Sequence, residues 1–149
     1  MKTLATLSKI FYALVGILGY FFAGIYLFRS EFMPYHAIAV EKPWEEVDAG
    51  LQVLIIALMR VSGGGWLATS VAITLFFISW LKQKQTFFGI SLVLVALAAL
   101  IPTLYATLYV KTNSPANPPW LAATAGILIL LLGLIFDLIS HKKLEKQGH

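Results

Sequence analysis

The segment LMRVSGGGW, residues 58–66, decides how this chain folds. It sets an arginine and three consecutive glycines inside a long apolar run, residues 51–81. If that run is one helix, the chain crosses a bilayer an even number of times. If the glycines make a true turn, the number is odd.

A bilayer is the right solvent to consider. Of the 149 residues, 59% are hydrophobic and 12% charged, with a mean hydropathy of +0.82, against about 45–50% and about 25% in soluble domains. A chain of this length has no core large enough to hide the excess, so the apolar surface faces lipid in a single transmembrane domain, residues 1–149. The absence of cysteine excludes disulfides and thiolate metal sites. The net charge of +4 is not a nucleic-acid signal, because no run of Lys or Arg is interleaved with aromatics.

Roughly 20 apolar residues span about 30 Å of hydrocarbon as a helix. Residues 10–29, 87–110 and 120–140 each satisfy this, and residues 49–81 supply the remaining span. AIA at residues 37–39 has the form of a cleavage site. The apolar run before it is too long for a signal peptide, however, and Arg29 and Glu31 intervene.

Lys2, Lys9, Lys82, Lys84, Lys142, Lys143 and Lys146 fall on one side of these spans. Arg29, Lys42 and Lys111 fall on the other, beside Glu31, Glu41, Glu45, Glu46 and Asp48. The positive-inside bias then places both termini, the turn 82–86 and the tail 141–149 in the cytoplasm, and the loops 30–48 and 111–119 outside. The expectation is an all-α, up-down bundle of four transmembrane helices in a bacterial inner membrane, its second helix long and kinked at residues 62–65.

PWEEVDAGL (43–51) and PWLAATAGI (119–127) share Pro-Trp, four residues, then Ala-Gly and a branched aliphatic. Pro suits a first helical position and Trp the headgroup boundary, so both helices are expected to open alike; a duplicated two-helix unit is the alternative. The second helix would then begin near Pro43, with Glu45, Glu46 and Asp48 at its positive dipole end. From there to residue 81 is about 58 Å at about 1.5 Å per residue, nearly twice the hydrocarbon thickness.

The glycines lower helix propensity by about 1 kcal/mol each, and they also leave a groove where another helix can approach closely. Read functionally, their N–H groups beside Arg60 form an anion pocket. A mid-span arginine costs about 2.5–3.5 kcal/mol on insertion scales and so needs a partner or a ligand. Available are Glu31, the 45–48 carboxylates, and the hydroxyls of Thr103, Tyr105, Thr107 and Tyr109 near Pro102. The candidate ligand site is therefore Arg60, Gly63, Gly64, Gly65, Glu31, His36, Gln52, Tyr105 and Tyr109.

No catalytic set stands out. His36 is the one histidine on that face, with His141 and His149 in the tail, so no metal site is expected. Haem and di-iron patterns are missing, and no cofactor is expected. Asp137 and His141, four apart, read as an interfacial pair, with proton transfer as a second reading. Recurrent small or aromatic positions (Tyr12, Gly19 and Tyr26; Gly16 and Ala23; Ala122, Gly126 and Gly133) suit a compact bundle, or equally self-association or docking on other membrane subunits.

The leading expectation is a non-catalytic accessory or assembly subunit of a larger membrane complex. The alternative is binding or transport of an anionic amphiphile or small molecule in an outward-facing pocket around Arg60. An enzyme would require Glu31, His36 and Arg60 to converge.

Overall fold

The computed structural model describes the backbone of residues 2–145 and the side chains of residues 3–142. Expectations resting on the side chains of Lys2, Lys143, Lys146 and His149 lie outside the described residues.

The chain forms helices α1 (Lys2–Phe28), α2 (Pro34–Val40), α3 (Ala49–Gln83), α4 (Thr86–Asn113) and α5 (Trp120–Glu145), with a 3-10 turn at Trp44–Glu46. Each of α1, α3, α4 and α5 is long and apolar enough to cross a membrane. A hydrophobic span satisfies its backbone only within itself, which is why these segments are helical throughout. α1 packs against α3 and α5, and α4 packs against the same two. The result is an up-down bundle of four spans with α1 and α4 on one diagonal.

Its lower end carries the start of α1, the α3–α4 turn and the end of α5; its upper end carries α2. At the lower turn Lys84 adopts a left-handed conformation (φ 51°) and donates its N–H to the Trp80 carbonyl, closing α3. The core joins Tyr12, Ile73, Trp80, Leu92, Ala96 and Leu130. The outer faces remain apolar, with Phe28, Val53, Val61 and Phe87 exposed, as a lipid-facing surface requires.

α3 stays helical through residues 62–65, and none of the described glycines has positive φ. The re-entrant alternative is therefore excluded and the span count is even. What the glycines supply is proximity. A Cβ on Gly63 would stand 2.9 Å from the Leu27 backbone nitrogen, so α1 crosses α3 there at backbone contact. Gly64 and Gly65 have nothing within 4 Å of the same position.

α3 does not begin at Pro43. It opens at Ala49, where Asp48 accepts hydrogen bonds from the Gly50 and Leu51 amides. Glu45 and Glu46 lie in the separate 3-10 turn, which Val47 ends in an extended conformation (φ −75°, ψ 135°). The two Pro-Trp segments therefore open differently, since Trp120 is the first residue of α5. The physical reason is the cap: an aspartate satisfies the first amides better than a proline five residues earlier. At 35 residues, α3 is still about 52 Å long at about 1.5 Å per residue.

Candidate functional site

Toward the upper end, α3 and α4 enclose a cavity of about 740 Å³ that α2 covers from the side. α2 takes this place because Pro34 fits its first turn and Glu41, left-handed at φ 55°, ends it after seven residues. Tyr35 and His36 face the cavity. The Tyr35 hydroxyl lies 3.1 Å from that of Tyr26 on α1. The His36 ring packs edge-on to Phe32 and Tyr35, and its Nδ1 accepts the Met33 amide. Burial lowers the His36 pKa, keeping the ring neutral; burial and the Tyr26 hydroxyl raise that of Tyr35.

The long walls are apolar: Leu58, Met59 and Trp66 from α3, Ala98 and Ala106 from α4. Hydroxyls are set among them. Thr103 and Thr107 return their hydrogens to carbonyls one turn back, as hydroxyls in apolar helices usually do. Ser62 and Thr69, a heptad apart on α3, line the cavity beside Gly65 and make no such bond. Pro102 also lines the α4 side.

Arg60 does not line this cavity. Its guanidinium donates to the carbonyls of Tyr26 (2.9 Å) and Arg29 (2.8 Å), capping the C-terminal end of α1, where carbonyls lack helical partners. A cation at a helix C-terminus also meets the negative end of the dipole. Glu31 pairs with Arg29 at 3.7 Å rather than with Arg60. Gln52 donates to the Trp44 carbonyl (2.7 Å) and holds the 3-10 turn on α3. Tyr105 and Tyr109 lie against each other on the exposed face of α4, away from the cavity. Of the nine residues singled out from sequence, His36 and Gly65 thus meet at the cavity and Gly63 and Arg60 serve the α1–α3 crossing, while Gly64, Glu31, Gln52, Tyr105 and Tyr109 lie outside both. Glu31, His36 and Arg60 do not form a joint site.

A second polar group surrounds the Asp137–His141 pair that the sequence spacing suggested. Asp137 on α5 is buried in the lower half, and its Oδ1 accepts from the Trp80 indole N–H (3.2 Å) and faces His141 Nε2 (3.3 Å). The available signal was the i, i+4 spacing of Asp137 and His141; that Trp80 and Tyr12 reach the same spot depends on how three helices are rotated. Among the described residues, no group of three or more His, Asp or Glu is placed to hold a metal ion.

No known protein family, no curated protein and no solved structure matches this chain.

Proposed function

We propose that this protein is a non-catalytic membrane protein that binds an amphiphile, drawn from the surrounding lipid, between α2, α3 and α4. The observation that carries this reading is the cavity itself: about 740 Å³, within the range of about 300–1,000 Å³ common for small-molecule sites. Its long apolar walls suit hydrocarbon. Ser62 and Thr69 offer hydroxyls that have no helical partner, and His36 and Tyr35 add a neutral polar end. Because neither Lys nor Arg lines the cavity, the group held there is uncharged, such as a carbonyl or hydroxyl head. An anionic head would need Arg60, whose guanidinium is engaged with the end of α1.

The test is native mass spectrometry after gentle extraction from the source membrane. Gly65→Leu has room at its Cβ and projects a side chain toward the cavity. The expected result is a retained lipid-sized mass on the wild type that falls at least several-fold in Gly65→Leu. A wild type that retains nothing, or a variant that retains the same mass equally, overturns the reading.

A second reading, an accessory subunit of a larger complex, is favoured by Gly64, whose open surroundings away from the cavity leave α3 able to receive another helix. In the same spectrum it would appear as additional polypeptides in fixed ratio.

A further inference from the structure

Asp137 is 1% exposed within a membrane-spanning helix. Both contacts to its carboxylate, from Trp80 and from His141, fall on Oδ1, and Oδ2 makes no hydrogen bond. The Tyr12 hydroxyl of α1 approaches both Asp137 and Ser8, yet neither Tyr12 Oη nor Ser8 Oγ completes a hydrogen bond. On α4, Gly89 leaves the room this carboxylate occupies, since a Cβ there would overlap Oδ2. The groups facing Asp137 are thus Ser8 and Tyr12 from α1, Trp80 from α3, Gly89 from α4 and His141 from its own helix. Of these, Tyr12 and His141 titrate. Among the described residues, no Lys or Arg pairs with Asp137.

We propose that Asp137 is a proton-binding site that exchanges with water at the lower end of the bundle through His141. Ionised, the carboxylate offers acceptor positions on both oxygens, and Oδ2 completes no hydrogen bond in the observed arrangement. Protonated, Oδ2 becomes a donor beside the Tyr12 hydroxyl oxygen, and a charge is removed from a place where charge is costly. A proton suits this geometry better than a metal cation, because the contacts at Oδ1 come from an indole N–H and an imidazole edge.

His141 provides the route. Its side chain is 21% exposed and that of Asp137 2%, so the imidazole meets water while touching the buried acid. The transfer balances simply. The Nε2–H bond of an imidazolium breaks, an O–H bond forms on the carboxylate, and a neutral imidazole and a neutral acid remain. The imidazole then takes its next proton from water. This site is separate from the upper cavity and does not depend on what binds there.

Asp48 and Asp137 are the aspartates of the chain, which makes isotope editing clean. The experiment is infrared spectroscopy of the lipid-reconstituted protein made with carboxyl-labelled aspartate, in an Asp48→Asn background that keeps a capping side chain at that exposed position. The expected result is a labelled carboxylic-acid C=O band that grows as pH is lowered across the range in which the protein stays folded. It is absent in Asp137→Asn, and its midpoint moves in His141→Gln. Because Trp80 donates to the same carboxylate, the tryptophan emission of the unaltered protein should follow the same midpoint and lose that change in Trp80→Phe. This second readout stands even if Asp137→Asn fails to fold. A labelled carboxyl group that stays fully ionised, or fully protonated, across the whole range overturns the proposal.

Discussion

Adjacent glycines on one helix do opposite things here. Gly63 lets the backbone of α1 touch α3, with Leu27 N 2.9 Å from where a Cβ would stand; its neighbour Gly64 faces open space. Gly63→Ala should therefore destabilise the bundle by about 1–3 kcal/mol, the usual cost of overpacking a tight contact. Gly64→Ala should be neutral or stabilise it by up to about 1 kcal/mol, because alanine is the better helix former. Thermal unfolding of the two variants in the same detergent checks the contrast, and equal melting temperatures would contradict it. Sequence alone makes these glycines equivalent, and it also presents Arg60 as a charge in search of a counter-charge. Its actual partners are main-chain carbonyls of residues 26 and 29, which no residue-type reading distinguishes from any other backbone.

Among the elements, α2 is the small one whose attachment depends on a titratable side chain. His36 is held neutral by burial against Phe32 and Tyr35. With its folded pKa depressed, the unfolded or detached state binds a proton that the docked state refuses. Stability of the docked helix is thus complete above about pH 6.5 and declines as pH falls below the ordinary histidine range. Relative to the intrinsic exchange rate at each pH, the protection of amides at residues 34–40 should fall on acidification, and His36→Phe should remove that dependence; protection that is insensitive to pH would contradict this account. The long helices were legible from hydropathy and length. The opening of α3 was not, because Pro43 and Asp48 both carry helix-start signals, and the extended Val47 between them reflects local backbone geometry. Asp48→Ala should cost about 0.5–2 kcal/mol through loss of its bonds to the Gly50 and Leu51 amides, whereas Glu45→Ala, which lies outside α3, should cost far less in the same denaturation measurement.

For the whole molecule, an even number of spans places the α3–α4 turn and the α4–α5 loop on opposite sides. The chain lacks cysteine, so single probes are unambiguous. Gln85→Cys and Asn117→Cys, both at exposed positions, should react with a membrane-impermeant thiol reagent from opposite faces of sealed vesicles. Labelling of both from the same face would rule out the bundle. The pattern of four spans could be read from the sequence because each apolar stretch reports its own length. The cavity and the Asp137 group could not, because both arise from helix rotations and crossings that hydropathy does not encode.

The mouth of the upper cavity has a further implication for how binding would be measured. Exposed residues of both flanking helices, Leu58 on α3 and Pro102 on α4, stand on its wall, so the proposed guest would enter from the lipid side of the bundle. If an amphiphile binds there as proposed, its occupancy would be governed by its mole fraction in the surrounding lipid. Adding more bilayer at constant guest would empty the site even if nothing were removed from solution. An affinity expressed per litre of buffer would vary with every preparation, and one expressed per lipid would not.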